Sequence, residues 1–150
     1  MAIVHTFIYC ESSIMDVVPQ GQQPKLHIIG PMQVILPMFI PGLFSFGVTF
    51  GLLDYNTEVT HTMRYTFKGP GENVPSVIDT HEIPVQIQPA DSKIPEDMRG
   101  MMMNFDFRNV VMENEGTYLS EIYFDGVKIG EFPIKVRQVV KQSVVNNVHN

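Results

Sequence analysis

Three histidines, His5, His61 and His81, stand in runs that alternate apolar and polar residues, each sharing parity with large apolar neighbours. His5 goes with Ile3 and Phe7, His61 with Met63 and Tyr65, and His81 with Ile83 and Val85. Three inward imidazoles that converged would hold a tetrahedral zinc with a water in the fourth position, the centre of a metallohydrolase. Their separations are long, no carboxylate lies at a helpful offset, and a lone cysteine rules out a Cys-x-x-Cys pair. Core or rim positions are therefore the reading adopted, with no metal and no cofactor, and a histidine-based hydrolase stands last among the functions considered.

Other chemistry-bearing residues read in the same structural way. Cys10 sits between Tyr9 and Glu11, and a neighbouring carboxylate raises a thiol pKa, so the expectation is an inert buried thiol. Glu113, Glu115, Asp106 and Asp125 have the chemistry for acid-base work or calcium ligation. Turn geometry claims Asp125, a strand start follows Glu115, and Asp106 falls on a solvent-facing parity. Gly69-Pro70-Gly71 lacks the Lys-Ser/Thr and helix N-terminus of a phosphate loop.

The elements that must position these residues are strands. In 116–136, Tyr118, Ile122 and Phe124 share one face, and Asp125-Gly126 leads straight into Val127, the signature of a two-residue β-hairpin. Phe132, Ile134 and Val136 are even-numbered while Val127 and Ile129 are odd, which calls for a bulge at Gly130-Glu131. The cleanest alternation is 43–53, with Phe44, Phe46, Val48, Phe50 and Leu52 on one face, a central core strand. Further strands are expected over 3–10, 25–36 with an interruption at Gly30-Pro31, 59–67, 80–88 and from Met101 onward. Pro84 marks an edge strand or a bulge, and 89–99 reads as a long loop or a single helical turn. The fold class is all-β, an antiparallel sandwich of about seven to nine strands, immunoglobulin-like or related, forming one domain over 1–137 with a tail over 138–150.

Composition narrows the function classes. Sixteen acidic against ten basic residues give a net charge of −6, against the phosphate attraction that nucleic-acid binders exploit. The opening residues lack a basic region followed by an apolar stretch, and no run reaches membrane-spanning length. No nucleic-acid or membrane partner is expected, and a single cysteine in an apolar run points to a reducing, cytoplasmic setting.

Three phrases carry a resemblance to a known family. They are Phe7-Ile8-Tyr9-Cys10-Glu11 followed by Lys25-Leu26-His27-Ile28-Ile29-Gly30, the proline-flanked link 37–41, and Glu115-Gly116-Thr117-Tyr118 leading through Asp125-Gly126 to Phe132-Pro133-Ile134-Lys135-Val136-Arg137. From about Phe7 to Arg137 the chain resembles a group of small, uncharacterised bacterial and phage proteins classed as a domain of unknown function, whose members are β-sandwiches. The resemblance implies the fold and a bacterial or phage origin, and it assigns no catalytic residue. The polar insert 12–24 and the tail after Arg137 depart from the family pattern.

One feature asks for a partner. Met38, Phe39 and Ile40 lie between Pro37 and Pro41-Gly42, and connections between strands run over the surface, where large apolar side chains are costly to leave wet. They either cap one end of the core or form a contact patch. Met102 falls on an otherwise polar face and points the same way, since methionine suits adaptable interfaces. The expected function is a non-enzymatic interaction module that binds itself, as a homo-oligomer, or a host or partner protein, through a sheet edge or the 37–42 loop. If phage-encoded, it would be an accessory or host-defence-modulating protein. The alternative is a small-ligand binder with a pocket at one end, walled by the 12–24 and 89–99 segments.

Overall fold

Asp125 and Gly126 both have positive φ, 50° and 80°, the pairing that a type I′ turn requires. They join β9 (Gly116–Phe124) to β10 (Val127–Val136), with Val127 directly opposite Phe124. The structure, a computed structural model, describes residues 1–16, 18–19, 25–89 and 92–139. The expected bulge lies in β10 one residue earlier than Gly130-Glu131, between Lys128 and Gly130, so Ile129 is the additional residue. It turns Ile134 and Val136 into the core beside Tyr118 and Ile122.

The remaining strands are β1 (Ile3–Met15), β2 (Leu26–Met32), β3 (Val34–Ile35), β4 (Gly42–Leu53), β5 (His61–Lys68), β6 (Ser76–Asp79), β7 (Ile83–Val85) and β8 (Gly100–Met112). One sheet has the order β2-β1-β4-β8, the other β3-β10-β9-β5-β6, with β7 also on β5. Among the described residues only the β3–β10 pair is parallel. This is the all-β sandwich its alternation predicts. The ten strands among the described residues include two of only two and three residues, β3 and β7.

Of the expected 80–88 strand only β7 forms; β6 precedes that span, and His81, at a positive φ of 57°, stands in the break between them. The Thr80 hydroxyl accepts the Tyr65 N–H at 2.9 Å, and Asp79 Oδ1 accepts the His81 N–H at 2.8 Å, so side chains satisfy donors where the ladder breaks. β7, carrying Pro84, pairs only with β5 and is an edge, as a proline demands. The described part of the 89–99 segment contains a single 3-10 turn, Glu96–Met98. The 25–36 strand is interrupted at Gln33 rather than at Gly30-Pro31, which lie within β2.

β4 is central in a stronger sense than one-sided alternation implies. Phe46, Val48, Phe50 and Leu52 fill the core, while Gly47, Thr49 and Gly51 on the opposite face are buried as well. What covers them is a bend in β1. A strand advances about 3.3 Å per residue, so Ser13 on a straight β1 would lie far beyond Ile8, the residue opposite Thr49. Instead Ser13 Oγ accepts a 3.0 Å hydrogen bond from Asn104 Nδ2, and Asn104 is the β8 residue opposite Thr49. Beyond Cys10, β1 and its partner β2 therefore fold back as a two-stranded arm across the outer face of their own sheet. Gly30, at φ +63° opposite the bend at Glu11, gives β2 the matching kink. The first strand thus runs five residues past its expected end at Cys10, and the polar insert 12–24 begins inside it.

Candidate interaction surface

The histidines do not converge. A register shift between Val4 and Phe7 reverses the facing of the first residues of β1, so Ala2 is buried, Val4 packs on the core and Ile3 is exposed. His5 is consequently on the outer face, exposed, with Nδ1 2.9 Å from Thr6 Oγ1. His81 is exposed in the break between β6 and β7. His61 alone is enclosed, packed edge-on against Tyr55 and tilted against Phe124. Its Nδ1 lies 2.6 Å from Asp125 Oδ2 and its Nε2 2.8 Å from the Asn56 carbonyl, which ties the β4–β5 connection to the hairpin turn. No group of three metal-ligating His, Cys, Asp or Glu side chains occurs among the described residues.

Asp125 does three jobs at once. It makes the turn, accepts the Thr62 N–H at 2.9 Å and faces His61. Burial pushes its carboxyl upward, and the Thr62 N–H and His61 outweigh that and hold it below the usual carboxylate range. Cys10 is fully buried against Gly47 and Thr49, and burial pushes its thiol up. Glu115 accepts the Gln138 N–H at 2.8 Å, Asp106 stands exposed beside Gly47, and Glu113 is exposed at the end of β8.

A carboxylate that the alternation alone would leave in solvent is buried on the outer face of the second sheet. Glu121 receives Lys68 at 2.9 Å, Lys128 at 3.2 Å and the Thr66 hydroxyl at 3.1 Å. Desolvation raises its pKa, and these donors more than offset it. On the same face Arg64 forks onto Asp79 at 2.9 and 2.5 Å and covers the Tyr123 ring. Only the cross-strand pairing of Thr66 with Glu121 reveals this network, and nothing in a single strand's pattern does.

The 37–42 loop separates its three apolar residues. Ile40 packs against the core, whereas Met38 and Phe39 are 64% and 63% exposed. They are not loosely held. The Ile40 N–H donates to Gln138 Oε1 at 3.1 Å, the Val139 N–H to the Pro37 carbonyl at 2.9 Å, and the Ile40-Pro41 peptide is cis. A side chain on Gly42 would collide with the Phe39 carbonyl oxygen, so only glycine closes this turn. Gln138 and Val139 thus engage the loop; the rest of the expected tail, from residue 140, lies outside the described residues.

Around the loop, at the same end of the sandwich, Val34, Leu36, Leu43 and Val111 are also exposed. Depressions at this end are lined by charges of both signs, Glu113, Glu115 and Arg137 in one and Glu115, Lys135 and Arg137 in the other. Met102, 47% exposed, does not join this patch. It pairs with Gly51 while Gly42 pairs with Met112, so about 30 Å of strand separates it from the loop.

The sequence matches, over residues 12–137, the family described as "Family of unknown function (DUF6941)". No curated protein matches it. No helix among the described residues is long and apolar enough to cross a membrane.

Proposed function

The chain belongs to this family of unknown function, DUF6941, and we propose that it is a non-enzymatic interaction module whose apolar end docks on a second copy of itself. The observation that carries the reading is the exposure of Met38 and Phe39 on a backbone held by Gln138 and Val139. Folding leaves these side chains in water although Ile40 between the same prolines is packed, and a clustered apolar surface on an ordered scaffold marks a contact site. Carboxylates and cations both line the depressions beside the patch, so charges of opposite sign are available to meet across a two-fold interface. The enclosed titratable groups named above are engaged in structure: His61 and Asp125 hold a turn, and Glu121 anchors two lysines.

Light scattering of the intact chain over a range of concentrations tests this. The expected result is a dimer that Met38→Ser with Phe39→Ser converts to a folded monomer. A wild-type monomer at all concentrations, or a dimer untouched by the substitutions, overturns it.

A further inference from the structure

At the opposite end, where the folded-back arm meets the 3-10 turn, a cavity of about 530 Å³ opens beside Gly51. Met15 and Leu26 of the arm lie on its lining, as do Met98, Gln86 and Gln88, so segments remote in sequence flank this open cleft. The bend in β1 contributes to it, because Met15 lines the same space as His5, ten residues earlier on the same strand.

The lining is chemically one-sided. Its twelve described residues include no Asp, Glu, Lys or Arg, in a chain that is 17% charged, and four are methionine, in a chain with ten among 150 residues. Among the side chains, polar groups are confined to the Gln86 and Gln88 amides and His5, whose Nδ1 is engaged by Thr6. Met102 lies close over Gly51 on the floor: the point where a Cβ would stand is 3.1 Å from Met102 Sδ and 3.9 Å from His5 Cβ, so the thioether packs where a larger residue would press on it. Thioether side chains adapt their shape to a guest, and a cavity of this size accommodates a drug-sized molecule.

We infer that this cavity is a binding site for a neutral, mainly apolar small molecule carrying one or two hydrogen-bonding groups that the Gln86 and Gln88 amides meet. A charged ligand is disfavoured because nothing in the lining compensates its desolvation. The site is independent of the apolar end around Phe39.

The test is a fluorescence titration of the full chain with N-phenyl-1-naphthylamine, a neutral apolar probe. Saturable one-to-one binding is expected. Met102→Lys and Met98→Lys, both at exposed positions that tolerate a lysine in the folded chain, each place a charge in the lining and are expected to weaken binding at least about tenfold. The Met38→Ser, Phe39→Ser variant is expected to bind like wild type. Absence of saturable binding overturns the inference. So does binding that the lysine variants leave unchanged, or that only the Met38 and Phe39 substitutions remove.

Discussion

The Tyr9 hydroxyl lies 2.6 Å from Ser120 Oγ, a hydrogen bond that crosses the core from one sheet to the other. The same hydroxyl is 2.6 Å from the Phe132 carbonyl, and Tyr65 of the second sheet approaches Ser120 at 2.7 Å. Three buried hydroxyls and a carbonyl therefore satisfy one another where the two sheets face, next to the stacked rings of Phe7 and Phe132. Mutual satisfaction makes such a network costly to break at one member. Tyr9→Phe and Ser120→Ala are each expected to cost about 1 to 3 kcal/mol, and the double variant less than their sum. Urea unfolding of the four proteins checks this; strict additivity would show that the hydroxyls act separately.

Burial raises the pKa of both Tyr9 and Tyr65 above the ordinary tyrosine value. In the unfolded chain these phenols ionise near pH 10, while in the folded state they stay neutral at higher pH. Their contribution to stability is fully present below about pH 10 and is lost as pH rises above it. Stability measured from pH 8 to 11.5 should fall, and Tyr9→Phe should fall less steeply.

In acid the sign reverses. The Arg64 guanidinium holds the Asp79 carboxyl down at about 2, and Glu121 and Asp125 are also held below their usual values. Stability from these groups is complete above the unfolded carboxylate range and is lost as pH falls, from about pH 5 down to about 2. Asp79→Asn should flatten the lowest part of that decline in a denaturation series across the window.

Ile40 and its two neighbours should separate in stability. Ile40→Ser removes a side chain packed on the core and should cost about 1 to 2 kcal/mol, a fraction of the loss at a fully buried site. Met38→Ser and Phe39→Ser should change the stability of the monomer by less than about 0.5 kcal/mol, as exposed positions do. Equal destabilisation at all three would make the loop a core cap throughout.

Cys10 reports on the arm. Its thiol is fully buried beneath the folded-back strands and its pKa is raised by that burial, so it should resist a thiol reagent in the native protein. Asn104→Ala removes the bond to Ser13 that fastens the arm, and the modification rate should rise a few-fold, in proportion to a contact worth about 1 kcal/mol. An unchanged rate would mean the arm is held by packing alone.

Much of this architecture is present in short-range pattern. Tyr118, Ile122 and Phe124 are buried as their parity requires, Asp125-Gly126 makes the turn, and the parity change across Ile129 is absorbed by a bulge one residue from its expected place. These features depend on neighbours two residues apart or on the φ preferences of single residues, and a linear sequence displays both. The misplacement of His5 shows the limit, since one additional residue between Val4 and Phe7 reverses a face and alternation cannot locate it.

The sequence by itself determined the class of fold, its hairpin and the faces of its long strands, because side-chain direction repeats every two residues whatever lies across the sheet. Tertiary structure alone decided that β1 folds back to bury Thr49 and Cys10, and that Met38 and Phe39 stay in water while Ile40 does not. It alone brought Lys68 and Lys128 onto Glu121 and Tyr9 onto Ser120. Each of these depends on which strands become neighbours and where they bend, contacts between residues dozens of positions apart that no local period encodes.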